Sequence, residues 1–212
     1  NDASFDRLIK FRMERGRSLD NLTDIIKERW KENRFTLDTI LLLNDLKLLP
    51  SEEIILLNND YIPNYKNLLQ QVYSHLEKEA VEPIYIDTPT AAWSSTALVT
   101  IRDIQYEATS GKHLKKIRAQ QEAASFLLGE LSQVYPKELQ KEDEDTAIYN
   151  LDNLCTQVWN NRPKYFSQEN RWGCLITTHK GEAKIYVGDN KKQAAYIALK
   201  DLLDTRPWKP IV

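Results

Sequence analysis

The chain repeats itself, and that constrains its fold more than any other feature. Asn67-Leu68-Leu69-Gln70-Gln71-Val72-Tyr73 aligns with Asn153-Leu154-Cys155-Thr156-Gln157-Val158-Trp159. Each is followed by a proline and an aromatic at fixed spacing, Pro83-Ile84-Tyr85 and Pro163-Lys164-Tyr165. Next comes a tryptophan ahead of an apolar strand: Trp93 before Ala97-Leu98-Val99-Thr100, and Trp172 before Leu175-Ile176-Thr177-Thr178. Each copy ends in an alanine-rich helix, with Ala119, Ala123, Ala124, Leu127 and Leu128 matching Ala194, Ala198, Leu199, Leu202 and Leu203. Landmarks kept in one order over this distance mark a duplicated unit.

Each copy reads as helix, three strands, helix. Leu68, Leu69, Val72, Tyr73 and Leu76 fall at helical spacing. Thr100, Ile101, Ile104 and Tyr106 flank an Arg102-Asp103 turn, and His179-Lys180-Gly181 joins Cys174–Thr178 to Glu182–Val187. Short turns imply antiparallel strands, and alanines on the last helix permit close packing on a sheet. The expected fold class is therefore α+β: two tandem α-β-β-β-α domains, each an antiparallel three-stranded sheet with two helices on one face.

Ahead of the first copy, residues 1–60 read as helical throughout. Ser18 and Thr36 are suited to N-caps, Ser51-Glu52-Glu53-Ile54 resembles a first helical turn, and Pro50 would close the helix before it. Leu41, Leu42, Leu43, Leu46, Leu48 and Leu49 need a partner within this region, in the first copy or in another chain. The expected boundaries are a helical region at 1–60, a domain at 61–135, an acidic solvated linker at 136–147 and a second domain at 148–212.

Charge separates these parts. The whole chain carries 29 Lys+Arg against 31 Asp+Glu, a net charge of -2, which excludes a uniformly basic surface. Residues 136–145 hold 2 positive and 5 negative side chains, whereas residues 146–212 hold 10 and 6. Positive charge is thus concentrated in the second copy. Apolar runs such as the four residues Ile40–Leu43 fall far short of the roughly 18 that span a bilayer. Asn1 in place of Met, with no apolar leader, leads us to expect a processed chain or a piece of a longer one. Cys155 and Cys174 lie in no metal-binding or redox motif, so both are expected to be reduced, buried and structural, in a cytoplasmic protein.

The second copy places Asn190-Lys191-Lys192-Gln193-Ala194 at the start of its last helix. Lysines are disfavoured there by the helix dipole unless an anion occupies the site. The pattern of small polar residue, Lys-Lys, spacer and alanines at helical spacing, closing a helix–strand–strand–strand–helix order, resembles the double-stranded RNA-binding domain. The resemblance covers about residues 63–131 and 148–204, with the second copy nearer the family pattern and the first degenerate. It implies RNA contact through the first helix, the loop between the first two strands and the lysines of the last helix, across two minor grooves and the intervening phosphates. Carried over residue by residue, it implies contacts from Lys191, Lys192 and Asn190, from Asn153 with Thr156 or Gln157, and from Arg171. In the first copy it implies Asn67 and Gln70, with Lys112, Lys115 and Lys116 near the helix start, where Ile117 replaces the second lysine. The Gly-Pro-x-His of the family's strand loop is absent from both copies: Asn170, Arg171 and Trp172 stand in the second and Thr88–Ala92 in the first.

No catalytic constellation is evident. His75, His113 and His179 are scattered, no phosphate-binding or zinc-protease motif occurs, and the run Glu142–Asp145 cannot converge on a metal. No catalytic residue, metal or cofactor is expected. The leading expectation is a non-catalytic protein binding double-stranded RNA by shape and phosphate contacts, mainly through the C-terminal domain. The alternative is a protein-interaction scaffold, dimerising or docking to a nuclease or helicase, on folds that have lost RNA binding. Self-association through the N-terminal helices belongs to that alternative. A third reading makes residues 1–60 a docking arm for a nuclease or helicase, to which the two domains deliver duplex RNA.

Overall fold

The structure, a computed structural model, describes residues 7–9, 20–32, 35–50, 52–79 and 82–210. Its elements run α1 (Asp20–Lys31), α2 (Leu37–Asp45), α3 (Tyr65–Leu76), β1 (Ile84–Thr90), β2 (Ala92–Ile101), β3 (Ile104–Thr109), α4 (Lys116–Val134), α5 (Pro136–Asp145), α6 (Ala147–Trp159), β4 (Lys164–Gln168), β5 (Arg171–Thr177), β6 (Ala183–Gly188) and α7 (Lys191–Thr205). Two compact units emerge: residues 62–145 form the first, and residues 1–61 together with 146–212 form the second. Each holds a three-stranded antiparallel sheet in sequential order, flanked by helices before and after. The mixed α+β class is as the sequence implied. Ser18 and Ser51 lie outside the described residues.

In the first unit, alternation along β2 and β3 sends Ala97, Val99, Ile101 and Ala108 to one face, where they meet Leu69 and Val72 of α3 and Ala123, Ala124, Leu127 and Leu131 of α4. The Arg102-Asp103 turn closes β2–β3 with both residues at positive φ, 50° and 65°, the backbone of a two-residue hairpin. Residues 136–145 differ from the expected linker. They form a helix with Pro136 in its first turn, an acidic residue, Glu138, beside it, and Leu139 buried in this unit's core. The acidic count concealed one apolar anchor that was enough to dock the helix.

The second unit repeats the plan. Leu151, Leu154, Cys155 and Val158 of α6 and Ala194, Ala195, Ala198 and Leu202 of α7 pack on Cys174 and Ile176 of the sheet. Cys155 and Cys174 are both free thiols within this core. Gly188, at the end of β6, lies so near α7 that a Cβ there would meet the Ala194 nitrogen at 2.6 Å. The missing side chain lets the helix start directly off the strand.

The N-terminal stretch is part of this second unit rather than a body of its own. Its leucine-rich helices find a partner outside the expected choices, the opposite face of the second sheet. Leu22 and Ile26 of α1, with Leu37, Ile40 and Leu43 of α2, pack on Phe166 and Leu175, with Ala183 and Ile185 at the margin. Gly173 is the notch in that face, since a Cβ there would collide with the Leu37 side chain. Thr36 caps α2 as expected, accepting from the Thr39 N–H at 3.5 Å. The helix ends at Asp45, ahead of Pro50, and residues 52–58 are not helical. There Ile54 and Leu56 turn into the α6–α7 core, and the Leu57 N–H donates to the Val158 carbonyl at 2.8 Å. The strap's side chains find more apolar contact laid along the core than a free helical turn would offer.

Candidate nucleic-acid interface

In the second unit, Lys191 and Lys192 occupy the first turn of α7, and Asn190 is its N-cap. The Asn190 Oδ1 accepts from the Gln193 N–H at 2.8 Å, while the Gln193 Oε1 accepts from the Asp189 N–H at 2.7 Å. This reciprocal capping fixes the direction in which the helix start points. Asn190 therefore has a local structural task as well as any contact role. The Lys191 Nζ stands 4.6 Å from the Tyr165 ring centroid and 6.0 Å from that of Trp172. The ammonium so rests on two rings from adjacent strands, which restricts its motion without neutralising it. Lys192 is exposed beside it.

On α6, Asn153 and Gln157 are joined by a Gln157 Nε2–Asn153 Oδ1 hydrogen bond of 2.9 Å. The Thr156 hydroxyl is buried, which leaves Asn153 and Gln157 as the accessible polar pair among the expected contacts on that helix. Arg171 is engaged elsewhere: its Nη2 meets the Asp38 Oδ1 at 2.6 Å, and Gln168 both donates to Asp38 and accepts from its backbone N–H. Arg171 thus ties the α2 layer to the sheet. Arg171 and Trp172 belong to β5, so only Glu169 and Asn170 link β4 to β5, with Glu169 at φ 54°.

The first unit has the same arrangement in weaker form. The Lys116 Nζ lies 5.8 Å from the Trp93 ring centroid, so a helix-start lysine again faces a tryptophan, although the strand pairing puts Ser95 rather than Trp93 at the position of Trp172. Lys112 and Lys115 are exposed in the segment before α4, which is held to β2 by reciprocal Trp93–His113 backbone hydrogen bonds of 2.7 and 2.8 Å. The Glu122 carboxyl fastens this segment by accepting from the Gly111 N–H at 2.8 Å and meeting the His113 Nε2 at 3.1 Å. Burial alone would raise its pKa, but these contacts outweigh it and hold the carboxyl below its usual range. Asn67 and Gln70 share an open cleft of about 400 Å³ with Tyr85 and Ile117, so α3 and the start of α4 do converge. Burial pushes the Tyr85 hydroxyl up to about 12. Residues 88–90 and 92 are strand rather than loop, since the register runs to Thr90 opposite Ala92 with Ala91 alone at the turn, at φ 54°.

Both units therefore lack a projecting loop between their first two strands. What sequence reasoning missed is the aromatic seat under each helix-start lysine. Part of its signal was present in the repeat, which places Tyr85 and Tyr165 at equivalent positions, but Trp172 stands at the position of Ser95 rather than of Trp93, and the Tyr85 ring carries Lys66 of α3. Among the described residues, no cluster of three or more His, Cys, Asp or Glu side chains is arranged to hold a metal ion. No helix among them is long and apolar enough to cross a membrane.

No family model matches the chain, and no curated protein matches it. Among solved structures, it is similar to the solution structure of both dsRBDs of DRB4 along with their linker, at 17% identity. That similarity covers 68% of this chain and 98% of the other, with a TM-score of 0.26. Likeness at that level establishes neither shared function nor shared arrangement.

Proposed function

We propose that this chain is a non-catalytic protein that binds double-stranded RNA, chiefly through the second unit. The observation that supports the reading is the start of α7: two successive lysines in a capped first turn, Lys191 seated on Tyr165 and Trp172, with the α7 dipole behind them. Lys191 and Lys192 contact phosphates, and Asn153 and Gln157 of the adjoining helix supply polar contacts to sugar or base edges. With a two-residue turn where a groove-reading loop would be needed, affinity rests on phosphate neutralisation and falls steeply with salt. In the first unit, Lys112, Lys115 and Lys116 add weaker contact beside Asn67 and Gln70.

The test is binding of the intact chain to a 20-base-pair RNA duplex and the matching DNA duplex at two salt concentrations. Lys191→Ala with Lys192→Ala should weaken RNA binding across sequences by about tenfold or more and lower the salt slope by about 2. Arg171→Ala should leave affinity unchanged, because its guanidinium is paired with Asp38. Unchanged RNA affinity in the double lysine variant would refute the reading.

A second reading, a protein-interaction scaffold, is favoured by the one- and two-residue turns that replace the projecting loop in both units. Under it, the intact chain binds neither duplex at low salt.

A further inference from the structure

The two sheets have superimposable registers, which lets their outer faces be compared position by position. Ile84 opposes Leu98 as Lys164 opposes Leu175, and Leu98 opposes Glu107 as Leu175 opposes Ile185. In the second unit this face is buried under α1 and α2. In the first it is open: Ile84 is 61% exposed and Ile86 is 54% exposed, on the strand beside Leu98. The rest of the face is almost uncharged, with Thr88, Thr96, Thr100, Thr109 and Gln105 among its residues and Glu107 the one ionisable side chain among its described strand positions.

We infer that the outer face of the first sheet is a docking surface for one short amphipathic helix of a partner protein, aliphatic along one stripe and basic at its margin. Three features argue for this occupant. The equivalent face within the same chain is covered in part by a short helix with an aliphatic stripe, α2, through Leu37, Ile40 and Leu43, although its own charged residues, Asp38 and Asp45, are acidic. Three strands of seven, ten and six residues, about 4.8 Å apart, present on the order of 300 Å², well below the roughly 800 Å² per partner of a stable dimer. A helix of about 10 residues, on the order of 15 Å long, fits that footprint. Glu107, beside Leu98 where the second sheet has Ile185, supplies the charge that a basic margin would meet.

The face also excludes this chain's own α2. Thr96 stands where Gly173 makes the notch for Leu37, and its hydroxyl is paired with that of Thr109 at 2.8 Å. A partner helix must therefore lie toward β1, over Ile84, Ile86 and Leu98, with a small residue above Thr96.

The experiment uses the intact chain with methyl-labelled Ile and Leu, titrated with a lactam-bridged helical peptide of 14 residues. The peptide carries leucines at i, i+3, i+4 and i+7, an alanine facing Thr96 and lysines at the margin. Saturable shifts confined to the Ile84, Ile86 and Leu98 methyls are expected. Ile86→Lys should weaken binding about tenfold or more, and replacing the peptide's lysines with glutamates about threefold. Ile86→Thr, which keeps strand preference, should also weaken binding while leaving the Ile101 and Leu127 methyls unmoved. Absence of shifts at Ile84, Ile86 and Leu98, or an Ile86→Lys variant that binds as the parent does, would overturn the proposal. So would a dimer of the parent chain that Ile86→Lys dissociates, or RNA duplex displacing the peptide from these methyls.

Discussion

The two units put the same sheet to different uses, and the difference lies on the face turned away from the helices of the repeat. Beneath those helices the sheets are alike: alternate residues of β2 and β5 are buried against an alanine-faced helix. On the other face, β5 presents Gly173 and Leu175 to the N-terminal layer, while β2 presents Thr96 and Leu98 to solvent beside exposed isoleucines. One small residue decides what can be seated. Where Gly173 leaves a notch, Leu37 enters; at the equivalent position the first sheet carries the Thr96 side chain, its hydroxyl paired with that of Thr109. Duplication conserved the core, while the outer faces diverged into one intramolecular contact and one open surface.

The sharpest break in that comparison is a pair of substitutions on equivalent surfaces. Leu37→Ala removes a fully buried side chain and should cost about 2–5 kcal/mol in urea unfolding of the second unit. Ile86→Thr, on the open face, should lie within about 0.5 kcal/mol of the parent chain. Similar losses for both would mean that the two faces do not differ in burial.

A smaller effect follows from the notch. Gly173→Ala forces a Cβ into the Leu37 side chain and should destabilise by about 1–3 kcal/mol. Thr96→Ala, at the equivalent position, removes only the hydroxyl pair with Thr109 and should cost roughly 0.5–1 kcal/mol. Unfolding curves of the two variants, measured side by side, check the order. Equal costs would remove Gly173 as the reason that α2 chooses its sheet.

The smallest difference concerns how the two last helices begin. The segment before α4 is held by Glu122, whose carboxyl sits below its usual range in the folded chain. Its contribution is present above the unfolded-state value of about 4.3 and is lost as pH falls through the lower folded value. The Gly111 amide should report that loss in an NMR pH titration, with a midpoint below that of an ordinary glutamate, and Glu122→Gln should abolish the step. The Gln193 amide at the start of α7 should show no such step, because Asn190 and Gln193 do not titrate.

Much of this was legible in the sequence, because repeats and local signals survive without knowledge of tertiary contacts. The helix–strand–strand–strand–helix order, the Arg102-Asp103 hairpin and the alanine faces all arise from neighbours close along the chain. What escaped were choices made by distant surfaces. The destination of Leu37, Ile40 and Leu43 depends on Phe166 and Leu175, more than a hundred residues away. One signal did exist: Gly173-Cys174-Leu175-Ile176 is apolar without alternation, the mark of a strand buried on both faces. Composition also misled at residues 136–145, where charge suggested solvation and Leu139 alone docks the helix. At the candidate interface, the lysines and Asn153 with Gln157 could be read locally. The pairing of Arg171 with Asp38 could not, nor the burial of the Thr156 hydroxyl, since both require knowing what the N-terminal layer and the core cover.

The most direct test of the unequal outer faces is solvent paramagnetic relaxation of methyl signals in the intact chain, using a neutral soluble gadolinium chelate. Ile84 and Ile86 should broaden strongly, while Leu37, Ile40 and Leu175 stay sharp. Comparable broadening of the two sets would contradict the account, because the N-terminal helices would then not be seated on the second sheet.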